Sequence, residues 1–154
     1  MILSHINYCN IAWANGNDYF ISKLHILQKK AVRLISNVPN NSHTLPIFHQ
    51  LKLLNVYDIN YFNIASFMFM CLNGLLPPYI TAKFSLNNSI HNYMTRTASN
   101  FHLPQIRTNV SKNSIFFRGP ILWNNIPINI KNSPSLNSFK KHFKSHLVSL
   151  YNID

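Results

Sequence analysis

The sequence predicts a small, mainly α-helical domain with an irregular middle region that holds at most short strands. Three observations point there. Apolar residues recur at three- and four-residue spacing through the longer segments. Capping residues, glycine and proline bracket those segments as helix starts and stops. Finally, 154 residues with 47% hydrophobic and 13% aromatic content can bury one real core, so wholesale disorder is not expected. A single domain over 1–154 is expected, with a helical half (1–76), an irregular basic and aromatic region (77–112) and a helical C-terminal part (113–154).

Leu3 to Ala14 reads as a short helix with Tyr8 and Trp13 as its apolar body. From Asn17 the pattern is strongly helical, with Asn17 or Asp18 as cap and Asn37-Val38-Pro39 as stop. Leu24, Leu27, Ala31, Leu34 and Ile35 share one stripe, while Lys23, Lys30 and Arg33 lie opposite, with Lys29 at the edge. A helical turn over Leu45 to Leu51 tolerates Pro46 in its first turn.

Asn55 caps the next helix, whose stripe runs Val56, Ile59, Phe62 or Asn63, Phe67 and Met70, and Gly74 ends it. Asp58 sits in its first turn, where a negative charge suits the helix dipole. Ile64 to Leu76 is the most apolar stretch, but it is too short to span a bilayer and Ser66, Asn73 and Gly74 interrupt it; it reads as a core helix.

Pro77-Pro78 opens the less regular part. Asn87 to Asn113 reads as loops with short extended pieces near Phe101-His102-Leu103 and Ile106-Arg107. Ser114 to Asn124 is helical, broken or kinked near Gly119-Pro120. Ser133-Pro134 then supplies a cap with Pro at the first helical position. Leu136, Phe139, Phe143, Leu147 and Leu150 form the buried stripe of this last helix, and Lys140, Lys141 and Lys144 its flank.

Charge is the unusual feature. Fourteen Lys and Arg residues face only Asp18, Asp58 and Asp154, with no Glu, for a net charge of +11. The abundance of Asn, Ile, Lys, Phe and Tyr fits an A/T-rich coding bias, but that bias enriches Glu codons too and so does not explain the missing acids. A surface of one sign attracts polyanions, though acidic proteins and anionic lipid also fit it. Alternatively, the balancing acids lie elsewhere in a longer polypeptide.

The same scarcity excludes carboxylate- and metal-dependent catalysis within the chain. Two-metal sites need several converging carboxylates, and a glycosidase needs a carboxylate pair; three scattered Asp residues supply neither. With Gly16, Gly74 and Gly119 as the sole glycines there is no phosphate-binding glycine loop. Cys9 and Cys71 form no spaced cluster and suit a reducing compartment, hence an intracellular protein of the nucleus or cytoplasm; Cys71 reads as a buried, inert thiol. Met1-Ile2-Leu3-Ser4-His5 lacks the features of a signal peptide. His142 and His146 have a spacing that can hold zinc, but no further ligand is near in sequence. No cofactor, metal, membrane or small-molecule substrate is expected.

Three basic groups remain. The Lys23, Lys29, Lys30 and Arg33 face and the Lys140, Lys141 and Lys144 flank can each lie along a phosphate backbone, or can be solvated helix surface. Arg96, Arg107, Lys112 and Arg118 are interleaved with Tyr93, Phe101, Phe116 and Phe117, a mixture suited to single-stranded nucleic acid; Phe116, Phe117 and Trp123 can equally be core.

In order along the chain come Leu27-Gln28-Lys29-Lys30-Ala31-Val32-Arg33, Pro46-Ile47-Phe48 with Leu51 and Leu54, Phe67-Met68-Phe69, and Asn73-Gly74-Leu75-Leu76-Pro77. His91, Tyr93, Thr95-Arg96, Arg107-Thr108, Gly119-Pro120, Leu122-Trp123-Asn124, Ile126-Pro127 and Ser138-Phe139-Lys140 follow. In this order and spacing, from about His5 to Leu150, the chain resembles the C-terminal region that follows the polymerase domain in jockey-like non-LTR retrotransposon reverse transcriptases. The resemblance implies a parent RNA-directed DNA polymerase that copies RNA into DNA at a nicked chromosomal target, with its paired catalytic aspartates upstream of Met1. It carries over no catalytic or metal residue, and the zinc knuckle of some related elements is absent. The expected role is a non-catalytic grip on template RNA or target DNA. The rivals are a structural module that braces the polymerase domain, docked through Trp123 or the Phe67 face, and a non-functional genomic remnant.

Overall fold

A computed structural model of the chain describes residues 2–16, 18–90 and 95–152; Met1, Asn17, His91, Tyr93 and Asp154, named above, lie outside them. Among the described residues the fold is mainly α-helical, as expected, and one isolated antiparallel bridge, Leu86 to Phe101, stands for the extended pieces. The helices are α1 (Ile2–Asn7), α2 (Asn10–Trp13), α3 (Asp18–Ile35), α4 (Leu45–Gln50), α5 (Val56–Leu72), α6 (Pro78–Thr81), α7 (Asn87–Ile90), α8 (Asn109–Asn113), α9 (Ile115–Asn124), α10 (Ile128–Lys131) and α11 (Leu136–Ser149), closed by a 3₁₀ turn at Leu150–Asn152. They form two compact units, Met1–Phe62 with Lys140–Asp154, and Asn63–Phe139.

In the first unit, the helix expected over Leu3 to Ala14 is two pieces. Cys9 at φ 47° is left-handed and breaks it. Tyr8 and Trp13 are not its apolar body: both are exposed, with the Trp13 indole N–H donating to the Tyr8 carbonyl at 2.8 Å. Ile6, Asn10 and Ala14 are buried instead. Asn60 anchors this end by donating to the Ala14 carbonyl at 3.2 Å and to Asn15 Oδ1 at 2.9 Å.

The α3 stripe is a correction as well. Ile21 and Val32 are buried, whereas Leu27, Leu34 and Ile35 are exposed. Gln28 sets this rotation. Its Nε2 donates to the Leu54 carbonyl and its Oε1 accepts from the Val56 N–H, both at 2.9 Å, which turns the Ile21 and Val32 side inward. Val32 joins Ile47 and Phe48 in a cluster flanked by Val38, Leu53 and Tyr151. Further along, Phe143 packs edge-on to Tyr61 at 5.2 Å and stacks on Phe62 at 6.3 Å, while Leu147 and Val148 are buried beside it in sequence. Leu150, expected in that stripe, is exposed.

Asn55 caps α5 as expected, its Oδ1 accepting from the N–H groups of Tyr57 and Asp58 at 2.9 and 3.0 Å. Asp58 is more than a partner of the helix dipole. Its carboxylate accepts from the Tyr151 hydroxyl and from Asn55 Nδ2, and the same hydroxyl accepts from the Asn55 N–H at 3.2 Å. Burial pushes the Asp58 carboxyl above its ordinary range, outweighing the two hydrogen bonds that pull it down. A folded-state value raised above the unfolded one favours the protonated form. The stability gained is therefore full below about pH 4 and is lost as pH rises through the folded value. Asp58→Asn, which keeps an acceptor for Tyr151 but cannot ionise, is expected to gain stability relative to the parent between pH 3 and pH 7 in urea titrations. Tyr151→Phe should cost about 1–3 kcal/mol at pH 7, by leaving the half-buried carboxylate short of a donor.

In the second unit α5 is buried round most of its circumference. Ile64, Ala65, Ser66, Met68, Phe69 and Cys71 are all buried, while Phe67 and Met70 of the expected stripe are only half-buried. Gly74 at φ 66° ends the helix as expected. The Leu75 N–H reaches the Met70 carbonyl at 2.9 Å and the Gly74 N–H that of Cys71 at 3.4 Å, the paired bonds of a Schellman stop.

Three local readings change here. Asn87–Ile90 and Asn109–Asn113 are helical rather than loop, the second capped by Thr108, whose Oγ1 accepts from the Ser111 N–H at 3.2 Å. α9 continues through Pro120, so the expected break is absent, and Gly119 lies so close to α5 that a Cβ there would be 2.6 Å from Met68 Sδ. The cap of α11 is Ser135, accepting from the Ser138 N–H at 3.2 Å; Ser133 instead donates to the Ile130 carbonyl, closing α10. Phe69, Trp123 and Phe139 form the centre of this unit, with ring centroids 4.7 to 6.3 Å apart, and Phe101 and Phe84 extend it.

Candidate nucleic-acid interface

The basic residues separate by what surrounds them. On α3, Lys23 and Lys30 are exposed, and the Lys23 ammonium sits 4.2 Å over the Tyr19 ring. Arg33 is half-buried and its Nε donates to the Ser42 carbonyl at 3.0 Å, which ties down the loop after the helix. Lys29 is half-buried near His25; burial, and then the Lys29 charge, hold that imidazole below its ordinary range. The four residues thus do not form one free face, since Arg33 has a structural task.

On α11, the structure joins two of the three expected lysines to a third cation. Lys141 and Lys144 line a cavity of about 340 Å³ together with His49 and Lys52, and Ser145, Val148 and Ser149 complete the wall. Lys140 is half-buried and does not line it. The lining follows from two local structures. Positions 141, 144, 145, 148 and 149 share one helical face. Lys52 is brought round by the sharp end of α4, where it adopts φ 52° and its N–H bonds the His49 carbonyl at 3.0 Å.

Among the described residues, the wall carries three lysines, a histidine and two serines and no carboxylate, so the cavity lies in positively charged surroundings. Low-dielectric walls focus such a field more than a flat surface does. Anionic oxygens suit such surroundings, and a phosphodiester offers them, while the Ser145 hydroxyl can donate to ester or sugar oxygens. The Ser149 hydroxyl now donates to the His146 carbonyl at 2.7 Å, so its lone pairs alone are available. Lys52 and His49 are site residues that sequence reasoning missed.

The third group is spread out. Arg96 lies on a turn, Arg107 on an irregular stretch and Lys112 on α8, all exposed, while Arg118 on α9 is half-buried. Of the interleaved aromatics, Phe101 and Trp123 are core at 3% and 1% exposure. Phe117 is half-buried, and Phe116, at 45% exposure and tilted against Phe84 at 5.5 Å, keeps an accessible face. Lys131 serves the core: it donates to the Asn124 carbonyl at 3.1 Å, and burial lowers its pKa.

Among the described residues no group of three or more His, Cys, Asp and Glu is placed to hold a metal, and no helix is long and apolar enough to cross a membrane. Cys71 is buried, which pushes its thiol up and away from reactivity. The His146 ring stacks on Phe143 at 6.4 Å. No known protein family, curated protein or solved structure matches the chain.

Proposed function

We propose that this chain is a non-catalytic nucleic-acid-binding domain that holds template RNA or target DNA for a reverse transcriptase, as the C-terminal region of a jockey-like non-LTR element. The observation that carries the binding half of this reading is the cavity lined by Lys52, Lys141, Lys144 and His49 and, among the described residues, by no carboxylate. The parent is supported by the ordered run of motifs from Leu27 to Lys140. Such a role belongs in the nucleus or the cytoplasm.

Phosphate neutralisation by three lysines releases condensed counterions, which makes binding steeply salt-dependent. Titrating the full chain with labelled single-stranded RNA, duplex DNA and an RNA–DNA hybrid between 50 and 200 mM salt tests this. We expect a log–log slope of about −3 or steeper on duplex, since each phosphate contributes about −0.9. Absence of binding to all three at the lowest salt would end the proposal. The ranking of the three ligands identifies which strand arrangement is held.

For the rival role, bracing the polymerase domain, Trp123 is enclosed by Phe69, Phe101 and Phe139, which leaves the half-buried Phe67 face as the docking point to test.

A further inference from the structure

The exposed stripe of α3 borders a groove in the first unit. Ile6, Leu24, Leu27, Ala31, Ile35 and Leu53 line a cavity of about 400 Å³. Gln28, the polar residue in its wall, has its amide committed at both ends to the Leu54 and Val56 backbone. Among the described residues, no other polar side chain lines the groove to recognise a polar ligand.

The stripe has a specific order. Phe20, Leu24, Leu27, Ala31 and Leu34 recur at alternating spacings of four and three, the seam by which one helix lies along another. Phe20, Leu27 and Leu34, seven apart, are 66%, 60% and 78% exposed. Apolar side chains this exposed on one stripe mark an interaction surface rather than scattered surface hydrophobics.

Charge selects the occupant. Lys23 and Lys30, also seven apart and exposed, stand beside the seam and not opposite it as expected, at the position where coiled coils place the charges that choose a partner. The opposite border is Ile21 and Gln28, both engaged within the unit. A second copy is a poor match. Antiparallel pairing sets lysine against lysine, parallel pairing offers only Ile21 and Gln28, and a chain of charge +11 repels itself.

We propose that this groove seats an amphipathic helix of another protein whose apolar seam is edged by carboxylates. The inference stands apart from the nucleic-acid reading, because the basic cavity on α11 shares no residue with the groove.

The test uses the full chain and two synthetic helical peptides with leucine at the seam positions, one edged with Glu and one with Lys. Calorimetry is expected to show the Glu-edged peptide binding at least tenfold more tightly. Lys23→Glu with Lys30→Glu should reverse that preference. Leu27→Asp with Leu34→Asp should abolish binding of the Glu-edged peptide while leaving far-UV circular dichroism and RNA binding unchanged, since both side chains are exposed. A Glu-edged peptide that still binds the Leu27→Asp/Leu34→Asp protein would be held by net charge elsewhere, and the proposal would fall. It would fall equally if the peptide did not bind at all, or if those substitutions dissolved a dimer of the chain or released it from anionic vesicles while peptide affinity stayed the same.

Discussion

Trp123→Ala is expected to destabilise the protein by about 3–5 kcal/mol, the range for a large aromatic removed from a packed core. The indole is 1% exposed. It packs against Phe69, Phe101 and Phe139 with centroids 6.3, 6.4 and 5.7 Å away, and Phe69 stacks directly on Phe139 at 4.7 Å. Alanine removes three ring contacts at once, each worth roughly 0.5–1.5 kcal/mol beyond burial. It also leaves a void that rigid aromatic neighbours cannot fill. Two further contacts would suffer. Lys131 loses the ring beneath its ammonium, 5.9 Å away, and the pair of hydrogen bonds between Asn124 and the Phe101 backbone, both 3.0 Å, loses its packed support. Whole domains are stable by only about 5–15 kcal/mol, so most of the margin goes. Guanidinium denaturation followed by near-UV circular dichroism measures this, with Phe116→Ala as the comparison. Phe116 is half-exposed and should cost about 1 kcal/mol or less. Equal costs at the two positions would mean that Trp123 is not the centre of this core.

What was legible in the sequence follows from how local each cause is. The start of α5 depends on one side chain, Asn55, bonding the next turn, and its end on one glycine at positive φ, so both could be read directly. Spacing located α3 but not its rotation, because two long-range hydrogen bonds from Gln28 decide which side is covered. Ser133 and Ser135 are rival caps on either side of Pro134. Their competition is settled by Ser133 bonding backward to Ile130, a contact with a four-residue helix too short to show periodicity. α8, at five residues, is also too short to show periodicity, and only its Thr108 cap could have revealed it. Lys141 and Lys144 were visible as a basic flank. Their companion Lys52 was not, for it stands alone in sequence and reaches the cavity through a left-handed turn after α4.

That companion decides the strongest functional test. Removing Lys52, Lys141 and Lys144 together is expected to lower nucleic-acid affinity by on the order of a few hundred-fold at 0.1 M salt, and to flatten the log–log salt slope by about 2.7. The estimate treats each lysine as one phosphate contact contributing about 0.9 to the slope. Choice of substitution matters at Lys52, where φ is 52°: Asn tolerates that region better than Ala, so Lys52→Asn with Lys141→Ala and Lys144→Ala removes charge without adding strain. Lys141 and Lys144 are exposed on α11, where alanine suits the helix. A second triple change, Arg96→Ala, Arg107→Ala and Lys112→Ala, removes the same charge from exposed positions of the other unit. If the converging lysines form the site, the first triple loses far more affinity than the second. If both lose the same, binding follows net charge alone and the cavity has no special part in it. Position in the fold, not the count of cations, is thus what the comparison measures.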